Sequence, residues 1–152
     1  MSASRDDNMG KENGQGDRPP VFLVSSCLLG LATRYDGTSK PSKSCQLELT
    51  GKILIPVCPE QLGGLPTPRV PADLVGGQGS EVLAGMARVI DREGNDVTGQ
   101  FLRGAQQVLE IAENQKVSGA YLKSGSPSCG AGDILGVTAA LLKSRGVPVR
   151  EF

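Results

Sequence analysis

Three of the four cysteines follow short β-type runs of apolar residues, and this pattern constrains the fold of the chain most strongly. They are Cys27, Cys58 and Cys129, and the runs lie at 21–24, 53–57 and 120–122. In a parallel α/β sheet the carboxyl ends of the strands lie along one edge, which is where ligands bind. The pattern therefore predicts that three thiols from distant parts of the chain rim one pocket.

The alternation of β-type and helical segments predicts a three-layer, Rossmann-like α/β domain with a mainly parallel sheet. Because the stretch at 59–79 is rich in Gly and Pro and follows Cys58 directly, we expect it to be irregular and functional. We expect strands at 21–24, 53–57, 87–90, 117–122 and 147–150, and helices at 42–49, 99–114 and 137–144.

The first residues of the chain differ in composition from the rest. Residues 1–18 are polar, rich in Gly and Asn, and without apolar periodicity. Such a segment cannot bury enough surface to offset the entropy of ordering, which predicts a disordered tail. Residues 19–152 are expected to form a single domain, since a chain of 152 residues is long enough for one core.

Charge and composition argue against several classes of partner. The 16 basic and 16 acidic residues cancel, so the chain has no basic excess for nucleic acid or an anionic membrane. It has no apolar run near the roughly 18 residues that a membrane span needs. We expect a cytoplasmic, reducing environment, where clustered cysteines more often indicate metal binding or catalysis than disulfides.

Histidine is absent from the chain, which removes the commonest general base and the commonest metal ligand. Thiolates are soft ligands typical of zinc, copper and iron–sulfur clusters. Three of them can hold a four-iron cluster at three corners and leave one iron exposed. The alternative is that these cysteines are small buried hydrophobic residues. Cys45 lies in a predicted helix away from any strand end, and we predict a structural role for it.

Polar residues beside the cysteines are candidates for chemistry. Glu60 lies two residues beyond Cys58 on a proline-stiffened loop. The Ser-Pro-Ser-Cys-Gly turn at 126–130 could aim backbone N–H groups at an anion, or it could be an ordinary loop with a capping serine. Three cations lie in or near these motifs. Arg34 and Arg69 are either charges of the site or loop anchors. Lys123 is either a charge of the site or a surface charge.

Taken together, five strings in this order and spacing resemble the thiouracil desulfidase family, long catalogued as a bacterial domain of unknown function. The resemblance runs from about residue 21 to the C-terminus. The strings are Cys27-Leu-Leu-Gly, Arg34-Tyr-Asp-Gly, Cys58-Pro-Glu-Gln-Leu-Gly-Gly-Leu-Pro-Thr-Pro-Arg69, Asp96-Val-Thr and Ser126-Pro-Ser-Cys-Gly130.

The resemblance implies a [4Fe-4S] cluster whose fourth iron has no protein ligand. Its ligands would be Cys27, Cys58 and Cys129, and the catalytic residues would be Glu60 and Ser126. The thiocarbonyl sulfur of a thiouracil-like base would bind the open iron. Glu60 would steer or deprotonate water, and Ser126 would help to move protons. Sulfur would leave as hydrogen sulfide with no net redox change.

One segment departs from the family pattern. Family members usually carry a hairpin containing Gly and Asp after the Ser-Pro-Ser-Cys-Gly turn, whereas here only residues 131–135 separate Gly130 from Gly136. We expect this short link to leave the pocket more open.

Three other functions stay open at this point: a desulfidase for thiolated tRNA, a carrier of sulfide or metal without turnover, and a zinc site with three thiolates and water. The lack of basic excess favours a small thiolated base over tRNA. A pure carrier has no need of Glu60.

Overall fold

The computed structural model describes residues 18–152, and the tail expected at 1–18 lies outside the described residues except for Arg18. Strands and helices alternate along this part of the chain. In chain order they are β1 (Val21–Ser25), a 3-10 helix (Ser26–Leu29), α1 (Lys43–Glu48), β2 (Ile53–Val57), α2 (Pro59–Leu62), β3 (Ala72–Val75), α3 (Gly79–Leu83), β4 (Arg88–Asp91), α4 (Thr98–Asn114), β5 (Gly119–Leu122), α5 (Val137–Ser144) and β6 (Val149–Glu151).

Four strands form a parallel sheet in the order β2-β1-β5-β6. Leu23 of β1 lies in register with Ile55 of β2 on one side and with Ala120 of β5 on the other. The strands β3 and β4 form a separate antiparallel pair. The predicted α/β class with a mainly parallel sheet is therefore confirmed.

Helices cover both faces of the sheet, which gives the expected three layers. Side chains alternate between the two faces along a strand. Accordingly, Leu23 shares a core cluster with Val108 of α4 and Leu142 of α5. The next residue, Val24, belongs to a different cluster that contains Cys45 of α1.

The long helix α4 agrees closely with its prediction at 99–114. Its buried side chains form one face, as expected: Phe101, Ala105, Val108, Leu109 and Ala112. The final strand begins two residues later than predicted because the amide of Val147 still bonds to the carbonyl of Leu142 at the end of α5. No helix within residues 18–152 is both long and apolar enough to cross a membrane.

The prediction of an irregular stretch at 59–79 is wrong in two places. The helix α2 begins directly after Cys58, and β3 pairs with β4 so that Leu74 lies opposite Val89. Both side chains join a second core cluster with Phe101 of α4. The helix has one turn and the strand four residues, so neither is long enough to show a clear hydrophobic period in the sequence.

Two glycines bring α2 into backbone contact with α4. A Cβ atom on Gly104 would collide with the carbonyl oxygen of Pro59, and one on Gly63 would collide with that of Gln100. Larger residues at either position would push the helices apart. This close packing fixes the position of Glu60, which lies in the first turn of α2.

Candidate active site

A cavity of about 450 Å³ lies at the edge of the sheet where β1, β2 and β5 end. Its walls come mainly from the segments that follow these three strands, together with residues of the 69–74 stretch. The predicted site residues all line it: Cys27, Cys58, Glu60, Ser126 and Cys129.

The three cysteines reach the cavity from three separate segments of the chain. Cys27 lies in the 3-10 helix after β1, Cys58 is the N-cap of α2, and Cys129 lies in the turn before α5. Pro59 follows Cys58 at the first helical position, where its fixed φ angle favours the start of a helix. All four cysteines of the chain are free thiols, so none is used in a disulfide.

Burial is the largest influence on the pKa of two cavity thiols, Cys27 and Cys129. It raises the pKa of Cys129, which is 4% exposed, to about 12. Burial also raises the pKa of Cys27, and the positive charges of Lys123 and Arg34 oppose this shift. The charge of Cys58 raises the pKa of both other thiols. Cys58 therefore lies within electrostatic range of both other cavity thiols.

The thiols border the cavity without converging on one point. Among residues 18–152, no group of three or more Cys, Asp, Glu or His side chains is placed to hold a single metal ion.

Both carboxylate oxygens of Glu60 have a hydrogen-bond donor. Oε1 accepts from Nε of Arg69 at 2.8 Å, and Oε2 accepts from the hydroxyl of Ser128 at 2.9 Å. The side chain of Glu60 is 13% exposed. A carboxylate held at both oxygens has a defined direction, which is what an acid–base group in a cavity needs.

Arg69 does more than the loop anchoring that its sequence context suggested. Its Nη2 donates to the carbonyl of Thr33 at 2.9 Å, and its Nη1 donates to that of Pro66 at 3.2 Å. The same guanidinium also pairs with Glu60 and lies 3.8 Å from Sγ of Cys58. The only sequence signal for this role is that Arg69 ends the string that contains Cys58 and Glu60.

Ser126 caps its own turn. Its Oγ accepts from the backbone amides of Ser128 and Cys129, each at 3.1 Å, and the amide of Gly130 donates to the carbonyl of Ser126. These three amides are therefore satisfied inside the turn. This hydrogen bonding is that of a loop between a strand and a helix in which a serine caps the turn.

Ser128 is a site residue that the sequence analysis missed. Its side chain connects three groups, because Oγ lies 3.0 Å from Oγ of Ser126, 2.9 Å from Oε2 of Glu60 and 3.8 Å from Sγ of Cys129. It is 2% exposed. The turn contains two serines, and spacing alone did not indicate which of them faces the carboxylate.

Two further cations line the cavity. The ammonium of Lys123 donates to the carbonyl and the hydroxyl of Ser124, at 2.9 and 3.1 Å. Arg34 lies over the ring of Tyr35, with 5.7 Å between the guanidinium carbon and the ring centroid. Both side chains line the cavity, and their charges oppose the rise that burial causes in the pKa of Cys27.

The short link at 131–135 is a small closed loop. A β-bridge joins Ala131 to Leu135, and side chains hold both ends: Glu151 accepts from the amide of Ala131, and Gln78 accepts from that of Leu135. Ile134, which lines the cavity, is 67% exposed. The link thus places one apolar side chain at the mouth of the cavity.

Cys45 lies outside the cavity lining and is completely buried in the cluster that contains Val24 and Tyr121. Burial raises the pKa of its thiol to about 11. These surroundings are those of a structural cysteine.

Known proteins are similar to this chain in sequence and in fold. A sequence model of the family described as 2-thiouracil desulfurase matches residues 22–151. The uncharacterized protein YbbK of Bacillus subtilis (strain 168) is 41% identical over 141 residues, which cover 85% of this chain and 93% of YbbK. A solved structure, the [4Fe-4S]-dependent thiouracil desulfidase TudS, is 39% identical with a TM-score of 0.72, covering 87% of this chain and 90% of TudS. The chain belongs to the 2-thiouracil desulfurase family.

Proposed function

We propose that this protein is a non-redox desulfidase that uses a [4Fe-4S] cluster to remove sulfur from a thiouracil-like base. The observation that carries the proposal is a cavity lined both by three free thiols and by a carboxylate held at both oxygens. Family membership and the solved relative named as a [4Fe-4S]-dependent thiouracil desulfidase support it.

The donor set fits such a cluster. Three soft sulfur ligands face one cavity in a chain without histidine. Burial raises the pKa of Cys27 and Cys129, so these two thiols stay protonated until a metal displaces the proton. Cys27, Cys58 and Cys129 would hold three of the four irons, which leaves one iron without a protein ligand.

When bound, the cluster supplies a Lewis-acidic iron to which a thiocarbonyl sulfur can bind. Glu60 would orient a water molecule towards the C=S carbon and accept a proton from it. The contacts to Arg69 and Ser128 keep the carboxylate in the direction that this step needs. The overall reaction converts C=S and water to C=O and hydrogen sulfide, so no electrons are gained or lost.

The chain of hydroxyls from Ser126 through Ser128 to Glu60 provides a path for the proton. The spacings are 3.0 Å between the two hydroxyls and 2.9 Å from Ser128 to the carboxylate. A proton taken up by Glu60 can return along this path towards the departing sulfur. Ser126 would thus act through Ser128 as well as by capping the turn.

We infer that the substrate is a free thiolated base, handled in the reducing cytoplasm. The zero net charge supports this choice over thiolated tRNA, because a protein that binds RNA neutralises several phosphates with basic residues. A carrier without turnover would not require the held carboxylate of Glu60.

Anaerobic purification and cluster reconstitution, followed by incubation with 2- or 4-thiouracil, test the proposal. We expect a brown protein with visible iron–sulfur absorbance that forms one uracil for each hydrogen sulfide released. A protein fully loaded with cluster that leaves both thiouracils intact would show that the proposed function is wrong.

A further inference from the structure

Arg69 is an almost fully buried cation that lines the cavity. Only 5% of its side chain is exposed, and its guanidinium contacts five acceptors, as many as it has N–H groups. The acceptors are Oε1 of Glu60, Oγ1 of Thr67, the carbonyl of Pro66, the carbonyl of Thr33 and Sγ of Cys58.

We propose that Arg69 is a positioning residue, which fixes the direction of the Glu60 carboxylate and donates an N–H···S hydrogen bond to Cys58. The inference rests on the proposed function. Arg69 thus has two tasks. It orients the acid–base group, and it supplies a hydrogen bond to a cluster ligand.

The first task follows from the geometry at Glu60. Arg69 holds one carboxylate oxygen at 2.8 Å while Ser128 holds the other at 2.9 Å. The carboxylate cannot rotate about its terminal bond without breaking one of these contacts. Removal of Arg69 leaves Ser128 alone to orient Glu60, and several orientations then become accessible.

The second task follows from the contact with sulfur. Nη2 of Arg69 lies 3.8 Å from Sγ of Cys58 and 2.9 Å from the carbonyl of Thr33, so it joins the loop after β1 to the loop after β2. Hydrogen bonds to the sulfur ligands of a cluster tune its reduction potential. Such outer partners also fix the orientation of the ligand.

The other ion-paired arginines of residues 18–152 lie in a different setting. Their side chains are 52–70% exposed. Pairs of that kind contribute little because water screens them. Arg69 is almost buried, and its planar fork serves acceptors in several directions, which a lysine ammonium at the end of a flexible stem does not reproduce.

The test compares Arg69→Gln and Arg69→Lys with Arg145→Gln, which removes an exposed arginine–glutamate pair outside the cavity lining. We expect both Arg69 variants to lower kcat per bound cluster by about 10- to 100-fold, as for a lost hydrogen bond to a charged group. KM should change little, and the midpoint potential of the cluster should become more negative. A purely structural role would lower cluster content and thermal stability without moving these two readouts. Values of kcat per cluster and potential equal to those of Arg145→Gln would overturn the proposal.

A double-mutant cycle tests whether Arg69 acts through Glu60. In a Glu60→Gln background, Arg69→Gln should lower kcat much less than it does in the wild type. An equal loss in both backgrounds would overturn the positioning role.

If Arg69→Gln holds no cluster, the variant Thr67→Val is used in its place. It removes one acceptor that orients Arg69, and its kcat per cluster should fall. An unchanged kcat in that variant would count against the proposal.

Failure of the proposed function has a different signature. It would be seen in the wild type, as a cluster-loaded protein that releases no sulfide from thiouracil. The potential of Arg69→Gln is measured without substrate, so it still decides the contact between Arg69 and Cys58.

Discussion

The hydroxyl of Ser128 donates a hydrogen bond of 2.9 Å to Oε2 of Glu60, which lies 68 residues earlier in the chain. Ser128 follows β5 and Glu60 follows β2, and β1 lies between these strands in the sheet. The contact therefore spans the cavity edge and links the turn that contains Cys129 to the helix that follows Cys58. The carboxylate and two of the cysteines are thereby tied together at the cavity edge by one hydrogen bond.

Substitution of the cysteines by serine should separate them into two groups according to whether the variant still holds the cluster. We expect Cys27→Ser, Cys58→Ser and Cys129→Ser each to abolish the intact cluster, because each removes a cavity thiol. Cys45→Ser should keep it, since Cys45 is buried in an apolar cluster away from the cavity lining. Iron and acid-labile sulfide analysis after anaerobic reconstitution measures this difference. A Cys129→Ser protein with four irons per chain would refute the assignment.

Glu60→Gln should keep the cluster spectrum and lower turnover by about 10²-fold or more, the usual scale for a lost general base. The amide keeps the size of the side chain but cannot accept the proton from water. Hydrogen sulfide release from thiouracil, normalised to bound iron, gives the measurement. Glu113→Gln, a change in an exposed ion pair outside the cavity lining, is the control. Turnover equal to the control would exclude Glu60 from the reaction.

Ser128→Ala should lower kcat by about 10-fold or more, the scale for one hydrogen bond to a charged group. It removes the donor to Oε2 of Glu60 and interrupts the hydroxyl path from Ser126. Ser44→Ala, at an exposed serine of α1, serves as the control. Single-turnover rates on the reconstituted protein check the effect. If Ser128→Ala and the control turn over at the same rate, the hydroxyl path carries no proton in the reaction.

Two glycines of α4 should respond in opposite ways to alanine. Gly104→Ala should destabilise the protein by about 1–3 kcal/mol through overpacking, because the new Cβ would collide with the carbonyl oxygen of Pro59. Gly99 has open space at its Cβ position, and Gly99→Ala should raise stability by about 0.5–1 kcal/mol, the ordinary helix propensity gain. Denaturant unfolding measures both. Equal effects at the two positions would show that α2 does not require close contact with α4.

Salt should have little effect on the activity with free bases. The chain carries no basic excess, and binding that depends on several phosphate contacts weakens steeply as salt rises. We expect similar kcat/KM for thiouracil at low and physiological salt, and weak activity on intact thiolated tRNA. Activity that is confined to tRNA and falls steeply with salt would identify RNA as the substrate.

The sequence alone determined those elements that are long enough to show a hydrophobic period. The face of α4 that contains Phe101 and Val108 was predicted because apolar residues repeat every three or four positions in a helix. The convergence of Cys27, Cys58 and Cys129 on one edge was predicted because each follows a strand of a parallel sheet. Both inferences use only local order along the chain.

Tertiary structure alone decided which polar groups meet in the cavity. Arg69 pairs with Glu60, and Ser128 reaches the carboxylate while Ser126 caps the turn. A hydrogen bond requires two atoms within about 3 Å and aligned, and here that alignment depends on how closely α2 packs against α4. Loops of similar composition can place their side chains in many directions. The packing of the whole domain selects one of them, and no local period in the sequence encodes that choice.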